Sequence, residues 1–273
     1  MTAAVATPGL VRGPAASNPL KLLRETWLVF QRQMLIVRRT PVRLVIGIVQ
    51  PIAYLLLFAP LLKPALASVG ARTTADAYRI YVPGLLVILV LLSALFSGFG
   101  LLGELRAGVI ERARVTPVSR FALLFGRALS EVATLIGQAL LITVLAIPFG
   151  LTVKIGPLLI AYVMLVLMGI LAACVSYALA LMVKNPAALG PLINTFAQPL
   201  ALLSGVLLPL TLAPHWLRTV AQWNPFYWAT NGTRALFGGH IGDSSVWKGL
   251  LLLLILTVPV TWWSTRLFAQ RVR

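Results

Sequence analysis

LLVILVLLSALFSGFGLLGELRAGVIERARVTPVSR, residues 85–120, passes from unbroken hydrocarbon into paired charges within one stretch. Up to Leu102 it offers no ionisable side chain. Beyond that it holds Glu104 and Glu111, two of the chain's six acidic residues, and Arg106, Arg112, Arg114 and Arg120. A helix needs roughly 20 mostly apolar residues to cross a bilayer, and residues 80–103 supply them. The polar part that follows is amphipathic. On a helix Leu105, Val109 and Ala113 form a stripe at i, i+4 and i+8, while Glu111 and Arg114 lie off it at i,i+3 spacing. Thr116-Pro117 ends that turn, because a residue before proline disfavours α geometry. Two acids gain nothing against a negatively charged lipid surface, so the pattern predicts a short surface helix that docks a soluble partner.

The rest of the chain has the same character. Of 273 residues 59% are hydrophobic and 11% charged, and mean hydropathy is +0.94. A soluble domain carries about 25% charged residues, so lipid must be the solvent for most of this chain. Apolar runs predict six spans, near residues 44–62, 80–103, 128–150, 158–183, 188–212 and 249–265. The net charge of +17 would fit a nucleic-acid binder only if the basic residues gathered on a soluble face. They lie between spans instead, and nucleic acid is excluded as a partner. With both termini cytoplasmic, 16 basic residues fall inside and 7 outside. That is the asymmetry expected of inward-facing loops, and it places 104–120 in the cytoplasm.

Residues 1–17 read as a flexible cytoplasmic tail without the apolar core of a signal peptide. Residues 18–39 read as an amphipathic interfacial helix, with Asn18 as N-cap and Pro19 in the first turn. Leu20, Leu23, Trp27, Phe30, Met34 and Val37 define its apolar face. Lys21, Arg24, Arg32 and Arg38 lie off that face, which suits contact with anionic membrane lipids. Residues 40–273 form the membrane domain. Within it Pro51, Pro60, Pro191, Pro199 and Pro209 should kink or break helices. Residues 213–248, broken by "WNP" and "FGG", predict short helices in the outer leaflet, with Trp216, Trp223, Trp228 and Trp247 at the interface.

Several chemistries drop out. GFGLLG (Gly98, Gly100, Gly103) matches a dinucleotide fingerprint in letters only; it closes an apolar span instead of joining a strand to a helix, so it predicts close helix packing. None of the five lysines follows glycine, so no Walker A loop is present. Cys174, His215 and His240 have no partner at metal-ligand spacing. Ion-coupled transporters keep ionisable groups inside their spans; here only Glu131 lies near one, with Arg127 at i,i+4 to pair with it. The polar groups within spans are neutral: Gln50, Gln138, Asn194 and Gln198. Gln50, Asn194 and Gln198 are the candidates for a substrate pathway.

The segment ELRAGVIERARVTPVSR resembles the E-x-x-x-G-x-x-E-R-x-x-x-x-P-x-S-R pattern of ABC-2 type permeases, the membrane subunits of daunorubicin-resistance-like ABC exporters. Ser204, Gly205, Pro209, Pro214, Trp216, Leu217, Asn224, Pro225 and Arg234 resemble a second segment of that family. Family members often carry an acid shortly before the final arginine; here the sequence reads ATNGTR. The resemblance implies an all-α, six-span half-transporter that pairs with a second permease subunit, identical or homologous. It implies two copies of an ABC ATPase subunit, which would bind the ATP and Mg, with no cofactor in this chain. It also implies ATPase coupling through Glu104, Gly108, Glu111, Arg112, Pro117 and Arg120. The expected activity is export of an amphipathic drug, antibiotic or lipid-like substrate across a bacterial plasma membrane. Alternatives are export of a surface polysaccharide or glycolipid and, in another class, a secondary transporter or channel.

Overall fold

The computed structural model describes residues 19–66, 73–109, 118–206 and 210–271. Every regular element among them is helical. In chain order these are α1 (Pro19–Arg39), α2 (Pro41–Leu66), α3 (Thr74–Phe96), α4 (Gly98–Arg106), α5 (Arg120–Ala146), α6 (Ile155–Val183), α7 (Pro186–Leu203), α8 (His215–Gln222), α9 (Pro225–Phe237) and α10 (Ser244–Arg271), with short 3-10 turns after α5 and before α8.

Four stretches are long and apolar enough to cross a membrane: Ala75–Arg106, Arg120–Phe149, Ile155–Val183 and Ser244–Arg271. They cover the second, third, fourth and sixth expected spans. The other two expected spans fall on α2 and α7. Helix α2 contains the shorter apolar segment Gly47–Leu57. Helix α7 is diluted by Pro191, Pro199, Asn194 and Gln198.

Helix α6 is the hub, touching α3, α4, α5, α7, α9 and α10. It is apolar all round, as a helix surrounded by others must be; Met164, Met168, Cys174 and Tyr177 are fully enclosed. Around it α5 and α10 turn Leu141, Val144, Leu251, Ile255 and Val258 outward. A water-soluble protein would not leave so much large apolar surface uncovered.

Local sequence explains the helix ends. Thr73 and Asp76 cap α3 reciprocally, each side chain accepting from the other's backbone N–H, which satisfies two otherwise open donors. Ser119 caps α5 by accepting from the Ala122 N–H at 3.2 Å. Asp243 precedes α10 and accepts from the Ser245 hydroxyl and N–H at 2.7 and 2.8 Å; those bonds hold its carboxyl below the ordinary range. The seam at Gly98 is the packing contact expected from GFGLLG. Its N–H donates to Ser176 Oγ at 2.9 Å, and a Cβ there would lie 2.7 Å from the Ser176 carbonyl oxygen.

Helix α1 forms over the expected residues and lies along α5. Its most buried contacts are Glu25 and Thr26, with Val29 against Gly126, and the C-terminal half of its apolar stripe (Phe30, Met34, Val37) is half-buried. Leu20, Leu23 and Trp27, in its N-terminal half, remain 72%, 65% and 53% exposed. Gly126 permits the contact: a Cβ there would lie 2.7 Å from the Thr26 carbonyl oxygen and 2.9 Å from Val29 Cβ. Helix α9, expected at the membrane edge, inserts among α3, α6 and α10 and buries Phe226, Thr230, Thr233 and Phe237.

Candidate functional site

Glu104 sits in the last turn of α4, where the apolar run stops and the segment that opened the sequence begins. Its carboxylate meets Arg127 of α5 at 2.5 Å and accepts from Gln33 Nε2 of α1 at 3.0 Å. Arg127 in turn lies 5.7 Å from the ring centre of Tyr177 on α6. Its guanidinium needs the gap at Gly100, where a Cβ would stand 2.6 Å from Nη2. Four helices thus meet at one carboxylate–guanidinium pair. The pair is mostly shielded, with side-chain exposures of 12% and 23% for Arg127 and Glu104, so it is screened less by salt than a surface pair.

Beyond Glu104 the chain turns at Gly108, whose φ of +66° suits a residue without Cβ at a helix end. Val109 then lines the same crevice as Leu101, Leu123 and Phe268. The expected stripe of Leu105 and Val109 therefore faces the bundle. Glu111, Arg112 and Pro117 lie outside the described residues. On the far flank of the segment the Ser119 N–H donates to Glu25 Oε2 of α1 at 2.8 Å. Arg120 opens α5, and its guanidinium donates to the Ala269 carbonyl of α10. Both described flanks of the 104–120 segment are therefore tied to α1, and the second also to α10.

Of the proposed pathway residues, Gln50 and Gln198 come together. They line one cavity of about 450 Å³ between α2, α3 and α7, with Tyr54, Tyr81, Leu85 and Ser93. Gln50 Nε2 donates to the Tyr54 hydroxyl at 3.2 Å, and the Tyr81 hydroxyl donates to the Tyr54 carbonyl at 3.4 Å. The lining mixes neutral polar groups with apolar walls, which suits an uncharged or amphipathic ligand. Asn194 is exposed and stands one turn before Gln198, outside the cavity lining. Gln138 has a packing role: it is buried and fills the space above Gly47, where a Cβ would lie 2.8 Å from its Nε2.

Sequence reasoning missed Arg127 as the partner of Glu104, because the two residues are remote in the chain and Glu131 offered a local partner. It also missed Gln33 and Tyr177. Their signal was present only as polar residues on helices otherwise read for their apolar faces.

The second motif folds into a clamp at the far end of α3. Asn224 caps α9, accepting from the Phe226 N–H at 3.0 Å, and donates to the Leu200 carbonyl at 2.9 Å. Gly205 turns the chain at φ +69°. Arg234 donates through Nη2 to the Val206 carbonyl at 2.8 Å and through Nε to the Ile80 carbonyl at 3.2 Å. Backbone carbonyls thus serve where an acidic partner was in doubt.

Comparison with known proteins gives a family match whose range spans both motifs. The family model described as ABC-2 type transporter matches residues 24–237. A putative transport permease, ycf38, of Cyanophora paradoxa is 26% identical over 217 residues, covering 79% of this chain and 74% of the relative. The daunorubicin resistance ABC transporter permease protein DrrB1 of Streptomyces coeruleorubidus is 26% identical over 223 residues, 81% of this chain and 77% of its own. The ycf38 permease of Porphyra purpurea is 27% identical over 253 residues, 87% and 86% of the two chains. With the family matched from α1 through α9, this chain belongs to the ABC-2 type transporters, as a multi-pass membrane permease of a family that normally works with an ATPase subunit.

Proposed function

We propose that this chain is the permease subunit of an ATP-driven exporter that moves an amphipathic drug, antibiotic or lipid-like substrate outward across a bacterial plasma membrane. It has both termini in the cytoplasm, and α2 and α7 join the four long helices to make six crossings. The 16-to-7 distribution of basic residues supports this orientation. Two copies of a separate ATPase subunit hold the ATP and Mg, and a second permease subunit, identical or homologous, completes the pathway.

The observation that carries this reading is the charged junction at Glu104. A plain linker between two spans needs only reach and solubility. Here the segment instead leaves α4 through an ion pair that binds α1, α4 and α5 together beside α6. ATP binding draws the ATPase subunits together against residues 104–120, and the junction passes that push to the helices. Energy enters as a difference in ATP affinity between two conformations, so this chain needs no catalytic group. The Gln50–Gln198 cavity opens toward the second permease, and its neutral lining takes the substrate. A relative named for daunorubicin resistance favours drug-like cargo over a glycan.

Glu111→Lys tests the docking role. A single charge reversal within a polar segment costs little stability. The variant permease should reach normal abundance yet lose co-purification with its ATPase, or lose substrate-stimulated hydrolysis. Normal assembly together with normal stimulation would reduce residues 104–120 to a linker.

A further inference from the structure

A second large hollow lies away from the Gln50–Gln198 cavity, between α5, α6 and α10, with a volume of about 600 Å³. Phe121 and Phe125 form one wall, their rings stacked at 5.2 Å; Leu167 and Ile170 form the floor, and Val258 and Trp262 the opposite wall. Thr257, Thr261 and Thr265 also line it, at i, i+4 and i+8 on α10. Their hydroxyls are engaged: Thr257 donates to the Leu253 carbonyl at 2.6 Å, Thr265 to the Thr261 carbonyl at 2.7 Å, and Thr261 meets Cys174 Sγ at 3.6 Å. The groove therefore presents a hydrocarbon surface. It opens sideways, since Val258 and Trp262 are 66% and 57% exposed.

One end is cationic. The Arg266 guanidinium lies 3.9 Å over the Trp262 ring, and no carboxylate among the described residues is within ion-pairing distance of it. Arg120 reaches the same end through its bond to the Ala269 carbonyl, and Ala269 lines the groove. We infer that this groove is a binding site for an acidic phospholipid, with an acyl chain along the wall of α5 and α10 and the phosphate at Arg266. A guanidinium matches phosphate geometry and carries several donors, and basic pockets between membrane helices favour acidic headgroups. A zwitterionic headgroup would bring its own cation beside two arginines. This occupant is part of the membrane and not cargo, so the site stands whether or not the export reading holds.

Fluorescence tests it on the purified chain in vesicles. Brominated phosphatidylglycerol or brominated phosphatidylcholine is added as a minor component of a phosphatidylcholine bilayer. The Trp262 signal is taken as the difference between the parent and Trp262→Phe, which keeps an aromatic face for Arg266. Brominated phosphatidylglycerol should quench that signal at about fivefold lower mole fraction than brominated phosphatidylcholine. Arg266→Gln, a change at an exposed residue, should remove the preference. Val258→Phe, which fills the open side without altering charge, should lower quenching by both lipids. Equal quenching by the two lipids in the parent would overturn the site. So would a preference untouched by Arg266→Gln, or quenching untouched by Val258→Phe.

Discussion

Two arginines are drawn into this apolar bundle near opposite ends of one span. Arg127 reaches Glu104 at the foot of α4; Arg234 reaches the Ile80 carbonyl near the head of α3. The two contact points are 24 residues apart in the chain, about 36 Å along a helix. Arg127 has a carboxylate partner in the last turn of α4, where the apolar run ends. Arg234 has only backbone carbonyls, at Ile80 and in the turn after α7. A side-chain ion pair can part and re-form as helices shift. A guanidinium holding backbone carbonyls of α3 and the α7 turn cannot let go without opening the fold. The first arrangement suits a moving junction, the second a fixed clamp.

The largest effect should follow from breaking the clamp. Arg234→Gln withdraws charge-assisted bonds from two carbonyls in a nonpolar setting and should cost about 3 kcal/mol. It would be read as a several-fold fall in membrane abundance and a lower unfolding midpoint in detergent. An unchanged midpoint would mean that the clamp holds nothing.

Gly84→Ala sharpens the same point. Its Cβ would stand 2.2 Å from the Val206 carbonyl oxygen and 3.1 Å from Arg234 Nη2, so the turn must move. The expected cost is about 2 kcal/mol. Because both changes act on one contact, the double variant should be less destabilised than the sum of the two; strict additivity would separate Gly84 from the clamp.

At the other extreme, Gln198→Leu should change stability by no more than about 0.5 kcal/mol, since Gln198 is exposed. It should nonetheless alter which amphipathic compounds are exported, because it removes a polar group from the cavity shared with Gln50. A profile identical to the parent's across several compounds would place the pathway elsewhere.

Much of this was legible in order along the chain, and less of it through space. Helices α1, α3, α5, α6 and α10 follow from apolar runs, and the break after α4 from the first charges. The packing of GFGLLG was readable because the glycines closed a span. The partner of Arg127 was not, because local spacing favours Glu131 while tertiary packing brings Glu104 to it. The residues by which α1 docks were also hidden: Glu25 and Thr26, polar residues off the apolar stripe, are the ones buried, while Leu20, Leu23 and Trp27 stay exposed. Gln50 and Gln198 were found one at a time as polar residues in apolar runs, but only the fold of α2 against α3 and α7 puts them in one cavity. Asn194 carried the same signal without sharing that position.

Glu104→Gln tests the moving junction most directly, in the complex of this chain with its ATPase subunits reconstituted in vesicles. It removes the charge and keeps the shape, and Gln33 and Arg127 still have an oxygen to meet. Folding and assembly should survive, in contrast to Arg234→Gln, while substrate-stimulated ATP hydrolysis falls on the order of tenfold, within the usual range of coupling between sites. Stimulation equal to the parent's in a fully assembled Glu104→Gln complex would contradict the account and leave the ion pair a structural contact like any other.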